Sequence, residues 1–456
     1  MMNSLKPDRH GFEIFLDPGR MKMVFQEQLF ESPEGRLAIS DCRIGYTRYK
    51  TYKKPSAWGH SSLSVCYHLE IHDPSARKNR REILYAKAFL GDRSRIEFQK
   101  IKGVSSIPSA CEEGILHFSE LDMIVWVFPN DPVLLHLPEC IHPEAVKRHL
   151  PYDRLPSGLN GPADISGLAS EVVHYRPEVR CTTRYRLQSG TAADPKEIVV
   201  YGKTFNDARG EEIYQRMNAL RRSGADNTER FIVAAPLAYC EEIKTVWQSG
   251  LDGDPFADVI NETNYRSLLE RAAGGLACFH KSGLSSNVRI TLGDHLEEIK
   301  KKIAKLIHAF PGLREWLQSI EHDLAQRIHQ LLPVLEGIIH ADFTVQQLLV
   351  CDGRIAFFDF DEFAIGDPAQ DVANFMVDLH FRPFDRSLVE EMKVVFLRAY
   401  RRRSDRLLSD DRLHWHLQVQ FVTKAYRIYI QQAPGLEKEI EAILSLAQKK
   451  ITSEKV

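Results

Sequence analysis

The chain has 456 residues, 43% hydrophobic and 27% charged, an ordinary globular balance with length for two or three domains. Lys and Arg total 60 against 62 Asp and Glu, a formal net charge of -2, which leaves no basic excess for nucleic-acid phosphates. The 8 cysteines are scattered without a C-x-x-C pair, the start "MMNSLKPDRHGFEIF" has no apolar signal core, and no apolar run is long enough to span a bilayer; the expectation is a cytoplasmic protein with reduced thiols and no membrane partner.

Taken from the N-terminus, the first patterned unit is 64–101, two β-rich runs followed by a helical stretch. It aligns with 181–217. Tyr85-Ala86-Lys87-Ala88-Phe89 falls on Tyr201-Gly202-Lys203-Thr204-Phe205, and Phe98-Gln99-Lys100 falls on Tyr214-Gln215-Arg216 without a gap. Identities in one register point to two copies of one supersecondary unit. Between the copies, "LPYDRLPSGLNGPADISG" (150–167) is rich in Pro, Gly, Ser and Asp and reads as a linker.

In the second unit, "EVVHY", "RCTTRYRLQ" and "EIVVYGKTF" read as three strands. "GEEIYQRMNALRR" (210–222) reads as a helix with Ile213, Met217 and Leu220 on one face, and "LAYC" and "KTVWQSG" are two more strands. Helical periodicity then dominates over 262–284, over 292–310 with Asp294 as N-cap, and over 313–332 up to Pro333. Two further amphipathic helices are expected at 384–403 and 411–432.

Between those helices lies "GIIHADFTVQQLLVCDGRIAFFDFDEFAIGDPAQDVANFMVDL" (337–379), strand-like yet carrying His340, Asp342, Gln347, Asp359 and Asp361 among apolar residues. Buried carboxylates are costly unless paired or holding a metal. Alternation in "IIHADF" is expected to send His340 and Asp342 to one side of an extended segment. "LLV" and "RIAFF" flank Cys351-Asp352-Gly353, a D-G hairpin signal, so folding the hairpin brings Gln347 and Asp359 to one end beside Asp342. Two carboxylates and an amide oxygen suit a hard cation such as Mg²⁺, with a carboxylate to spare for orienting a nucleophile.

The order H-x-D, amide, hairpin, D is that of a kinase catalytic and metal-binding loop. "HADFTVQQLLV", "FFDFDEF" and "GDPAQDVA" together resemble the aminoglycoside phosphotransferase and choline kinase-like family; G-D-P-x-x-D is the most diagnostic, since protein kinases carry A-P-E near there. Gln347, where Asn is usual, is similar to maltokinase-like members. Each residue alone has a plainer reading, a core histidine or a surface lysine. Their joint occurrence in order outweighs it.

The resemblance implies an α+β, two-lobed protein kinase-like fold with an additional N-terminal α+β domain resembling a second small lobe. The expected division is a cap at 1–149, the linker at 150–167, a small β-rich lobe at 168–250 and a large helical lobe at 251–456. It implies an ATP- or GTP-dependent phosphotransferase using Mg²⁺ to phosphorylate a hydroxyl of a sugar, amino-sugar or amino-alcohol. Asp342 matches the catalytic aspartate and His340 its brace. Gln347 and Asp359 match the metal ligands, Asp367 and Asp371 the structural aspartates, and Lys203 the lysine on the α- and β-phosphates. Glu211, or alternatively Glu212, is expected to pair with Lys203, and Gln248, Ser249 and Gly250 to form the adenine-binding hinge. The turn within "YRPEVRCTTRY" has no glycine-rich cover; its arginines, Arg176 and Arg180, are expected as exposed turn residues, with contact to phosphate as the alternative. Lys87 has Arg95 where Glu211 would align and no H-x-D after it, so the first copy reads as non-catalytic. The alternative class is a nucleotide-binding pseudokinase or scaffold.

Overall fold

A computed structural model describes residues 12–30, 37–50, 61–73, 78–104, 106–108, 113–155, 159, 161–191, 194–224, 230–404, 408–432 and 435–448. Cys111 and part of the expected linker (156–158 and 160) lie outside them. The seven described cysteines form no disulfide. No helix among the described residues is long and apolar enough to cross a membrane.

The chain opens with α1 (Pro18–Leu29), capped by Asp17, whose carboxylate accepts from the Gly19 and Arg20 N–H groups at 2.9 and 3.0 Å. It covers a sheet made of β1 (Ala38–Lys50), β2 (Ser62–Asp73), β3 (Lys78–Phe89), β4 (Ile115–Phe118) and β5 (Met123–Val127), with α2 (Arg93–Ile101) between β3 and β4. Met21, Val24 and Phe25 of α1 bury against this sheet, where the Phe25 ring meets Tyr67 edge-on at 5.0 Å.

Two short helices follow, α3 (Leu137–Ile141) and α4 (Pro143–His149). Then comes the second sheet, from β6 (Ile165–Arg176), β7 (Arg180–Thr191), β8 (Asp194–Phe205), β10 (Pro236–Cys240) and β11 (Thr245–Ser249). Helix α5 (Arg209–Arg222) and the two-residue β9 (Ile232–Val233) interrupt it. The first sheet runs in the order β1-β2-β3-β5-β4 and the second in the order β6-β7-β8-β11-β10, the same arrangement strand for strand. β6 begins inside the expected linker, and Leu150, Leu155, Leu159 and Ile165 are core residues. The described part of the segment therefore contributes to the core. Helices α3 and α4 also bury Cys140 and Val146 against the second sheet, where the Tyr185 hydroxyl donates to the Cys140 carbonyl at 2.7 Å.

The helical half comprises α6 (Phe256–Val259), α7 (Tyr265–His280), α8 (Leu292–Ala309), α9 (Arg314–Arg327), α10 (Ala369–His380), α11 (Arg386–Arg403), α12 (Asp410–Gln431) and α13 (Leu436–Ala447). Inserted in it are β12 (Asp254–Pro255), β13 (Gly337–Ile339), the hairpin β14 (Leu348–Cys351) and β15 (Arg354–Phe357), and β16 (Ala364–Gly366). The α+β architecture expected from the motifs, a strand-rich half followed by a helical half, is what the described residues adopt. One core runs from α5 and β11 through α7 to α12, and Phe231 stacks on Phe357 at 4.8 Å across the junction.

The first sheet touches both halves. Its outer face packs Tyr85 and Trp126 against Tyr175 and Cys181 of β6 and β7. At its far edge, Tyr49 of β1 meets Tyr429 of α12 edge-on at 5.8 Å, and the Thr47 hydroxyl donates to the Gln431 carbonyl at 2.8 Å.

Helix α8 differs from expectation at its start. Thr291, not Asp294, is the N-cap: its hydroxyl accepts the Asp294 N–H at 3.1 Å, and Asp294 returns the favour to the Thr291 N–H at 2.9 Å. Asp294 is the far half of a reciprocal box, so the sequence signal was displaced by three positions. Helix α9 ends at Arg327, short of Pro333, in a turn. Thr291→Ala is expected to lower stability by about 1 kcal/mol in urea unfolding with an unchanged m-value; no loss would mean that the cap is dispensable.

Candidate active site

The chain leaves β13 at Ile339 and turns sharply, because Ala341 adopts φ 67°. His340 and Asp342 therefore do not alternate along one strand face, as the pattern suggested. A side chain on α10 imposes the turn. Asp371, with no exposed surface, accepts the His340 N–H at 2.7 Å and the Ala341 N–H at 2.8 Å, and His280 Nε2 donates to it at 3.0 Å. The Ala341 carbonyl accepts from Gln370 at 3.2 Å and from Asn374 at 3.0 Å. The Val345 N–H then reaches Asp378 at 3.1 Å, so α10 holds this loop at three successive turns.

The buried His340 ring donates from Nε2 to the Phe358 carbonyl at 2.9 Å, joining the loop to the end of the β14–β15 hairpin. The hairpin turns as expected, with Asp352 and Gly353 at φ 50° and 75° and Cys351 opposite Arg354. It delivers Gln347 and Asp359 to one end.

Four charges meet there. Lys203 on β8 extends Nζ to Asp359 at 2.5 Å and to Asp361 at 2.6 Å. Arg180, at the start of β7, pairs with Asp361 and reaches Asp359 at 3.1 Å. Burial alone would raise the Asp359 carboxyl, but the Lys203 and Arg180 cations overcome it and hold it well below the ordinary carboxylate range. Burial raises Asp361, with Asp359 beside it, against the pull of the same cations. Burial also raises Asp342, while Arg427 and His340 draw it down.

Several expectations change here. Glu211 does not meet Lys203, and neither does Glu212. The buried face of α5 carries Ile213, Met217 and Leu220; two residues earlier, Glu211 points away to solvent, and Glu212 pairs with Arg216 along the helix. The carboxylates that answer Lys203 come from the other half of the molecule. Arg180 is not an exposed turn residue, whereas Arg176 turns away to the Tyr46 hydroxyl at 3.3 Å. The Ser249 and Gly250 N–H groups are already taken by the Ala235 and Val199 carbonyls, each at 2.8 Å. They cannot be the hinge donors; the next residue, Leu251, has an N–H without a partner among the described residues. Gln347 turns its amide nitrogen toward Asp359 at 3.4 Å, so a metal at this position would need the amide reversed to present its oxygen.

The β6–β7 turn, where a glycine-rich cover would lie, is secured by the first sheet. The Glu178 carboxylate takes Lys87 Nζ at 2.6 Å and the Tyr85 hydroxyl at 2.9 Å. The Glu178 N–H donates to Asp131 at 3.0 Å, and the Tyr175 hydroxyl donates to the same carboxylate oxygen at 2.6 Å. Lys87, the counterpart of Lys203, thus fixes the turn that carries Arg180.

Between the second sheet and the hairpin lies a cavity of about 460 Å³, lined by apolar Met217, Val246 and Leu349, by Gln248 and Ser249, and at its inner end by the charged cluster. Asp342 opens instead onto a second cavity of about 200 Å³, on the side of α8, α10 and α12. His295 on its wall hydrogen-bonds Gln370 at 2.8 Å. Burial, then the nearby His416, push the His295 ring down to about 4.

Residues 203–406 match the phosphotransferase enzyme family, so the resemblance carried by the motifs holds over that region. No curated protein matches. Among solved structures, choline kinase LicA from Streptococcus pneumoniae is similar at 15% identity and a TM-score of 0.42, covering 61% of this chain and 94% of its own. An aminoglycoside-3'-phosphotransferase of type VIII is similar at 16% identity and 0.42, covering 60% and 99%. Amicoumacin kinase hAmiN in complex with AMP-PNP, Ca²⁺ and Ami is similar at 14% and 0.43, covering 60% and 90%.

The His295 shift sets a pH dependence. Its folded value lies below the free-imidazole value near 6.5, so its contribution is complete above that pH and is lost as pH falls towards 4. Over that window the wild type should lose about 2–3 kcal/mol more stability than His295→Gln in parallel urea titrations. Parallel curves would remove His295 as the cause.

Proposed function

We propose, with residues 203–406 in the phosphotransferase enzyme family as the premise, that this protein transfers the γ-phosphoryl group of ATP to a hydroxyl of a small molecule. The observation that carries this reading is the meeting of Asp359, Asp361 and Gln347 with Lys203 and Arg180 at the inner end of a nucleotide-sized cavity, with Asp342 alongside. GTP would fit the same chemistry. The scattered free thiols are in keeping with a cytoplasmic setting. We also read the chain as a cap at 1–149, a linker at 150–167, a small lobe at 168–250 and a large lobe at 251–456.

The residues fit the nucleotide and metal once the charges exchange partners. Phosphate oxygens would draw Lys203 and Arg180 away from the aspartates. Asp359 and the reversed Gln347 amide would then be free for Mg²⁺, which supplies charge neutralisation at the phosphates. Asp342 orients the acceptor hydroxyl and takes its proton. Burial strengthens it as a base by raising its carboxyl. The acceptor oxygen bonds to the γ-phosphorus as the bridging P–O bond breaks, and the nucleoside diphosphate leaves with that electron pair. His340, bound to Phe358, keeps the Asp342 loop and the hairpin end in register.

A nucleotide-binding scaffold is favoured by one observation, the absence of a Lys203–Glu pair among the described residues. The retained Asp342 and Asp359 weigh more heavily. Asp342→Asn should reduce ADP release by about 10²–10⁴-fold while ATP affinity by calorimetry is kept; full activity in this variant would refute the transferase reading. Lys203→Met and Arg180→Met should each weaken ATP binding about ten-fold or more, and Glu211→Ala less than about two-fold. A large Glu211 effect would restore the pairing expected from the motif.

A further inference from the structure

The cavity beside Asp342 is lined by three cationic side chains, Lys302 of α8 and Lys424 and Arg427 of α12. None of the three forms an ion pair among the described residues. Lys302 Nζ donates to the Thr423 hydroxyl at 3.2 Å, and Lys424 lies over the Phe381 ring at 4.8 Å. The other acids on the wall are answered elsewhere. Asp378 holds Arg382 at 2.7 Å, and Glu298 faces Lys301 at 3.5 Å. The wall therefore carries three cations without a contact ion pair among the described residues, with Asp342, Glu298 and Asp378 acting on Arg427, Lys302 and Lys424 only from a distance. A partly desolvated cation without a counter-ion is unfavourable, and burial lowers both Lys302 and Lys424. Such an arrangement is stabilised by an anion arriving with the ligand.

We propose that this cavity takes the acceptor, and that the acceptor is a small hydroxylated anion whose carboxylate or phosphate is held by Lys302, Lys424 and Arg427. The role of the hydroxyl rests on the phosphotransferase reading; the anion site rests on the residues themselves. A cationic amino-alcohol or amino-sugar is disfavoured, since its charge would face three of like sign. The transfer itself is unchanged: the acceptor O–H gives its proton to Asp342, its oxygen bonds to the γ-phosphorus, and the bond to the bridging oxygen of the nucleoside diphosphate breaks. The anion sets position and charge and takes no part in the exchange. Lys424 and Arg427 stand three apart on one helix, so both reach the same wall.

The test uses the full chain with AMP-PNP and Mg²⁺, and again without nucleotide. Gluconate, glucose 6-phosphate and glycerol 2-phosphate are titrated calorimetrically beside glucose, glucosamine and choline. The same compounds are then offered with ATP while ADP release is followed, and gluconate against the two phosphates separates carboxylate from phosphate recognition. We expect anions to bind and the neutral and cationic compounds not to. Lys424→Met and Arg427→Met should each weaken anion binding about ten-fold or more, with Arg427→Lys recovering part of the loss and melting temperatures serving as the check on folding. Anion binding that depends on these residues without ADP release would keep the anion site and refute the transferase reading. ADP release on glucose, glucosamine or choline without anion binding would do the reverse. Anion binding indifferent to the substitutions, or no anion binding at all, overturns the proposal.

Discussion

A carboxylate with no exposed surface ties the active half of this molecule together. Asp371 accepts two consecutive backbone N–H groups from the turn after β13 and a ring N–H from α7, and His280, its partner, is hydrogen-bonded in turn to Tyr400 of α11. A buried charge is tolerated when its lone pairs are met this completely, and the same completeness makes the arrangement directional. It obliges Ala341 to take a left-handed conformation that a non-glycine residue rarely adopts, and this presents Asp342 away from the strand. Asp367, four residues earlier, works in parallel on α12: it holds Arg412 and His416, and His416 is 3.0 Å away. The two aspartates of one short motif thus anchor α7, α10, α11 and α12 around a single loop.

The parts legible in sequence were those governed by local rules. Helices α7, α8, α9, α11 and α12 announced themselves through apolar period, and the hairpin through Asp352-Gly353, whose positive φ angles a two-residue reverse turn demands, whereas α10 lay in a stretch read as strand-like and α13 was not expected. The first helix, α1, escaped notice because its signal is short and mixed. The turn at Ala341 was hidden because nothing in "HAD" indicates a left-handed residue; the cause sits 30 positions away in Asp371. Arg180 was misread for the same reason, since its partner Asp361 is 181 positions away. Glu211 shows the opposite failure, a motif expectation overruled by helix phase, because Ile213, Met217 and Leu220 decide which side of α5 is buried.

The charged cluster and the second cavity differ in their electrostatic state. In the cluster, two cations and two carboxylates are mutually satisfied, so whatever enters must trade partners with them. In the cavity beside Asp342 the three cations make no contact ion pair among the described residues. On the proposed reading, a ligand would rearrange the first site and complete the second. That difference would bear on selectivity: exchange tolerates any polyphosphate that can outbid the aspartates, whereas completion discriminates by the sign of the charge.

The first sheet has attachments on both sides of the cleft. One is the Lys87–Glu178 and Asp131–Tyr175 lock on the β6–β7 turn, and the other is the contact of Tyr49 and Thr47 with the end of α12. A two-lobed enzyme ordinarily breathes about its single connecting segment. On the proposed phosphotransferase reading, the same movement would stretch a bridge fastened at two ends. The additional sheet would thereby limit the aperture through residues that line neither cavity.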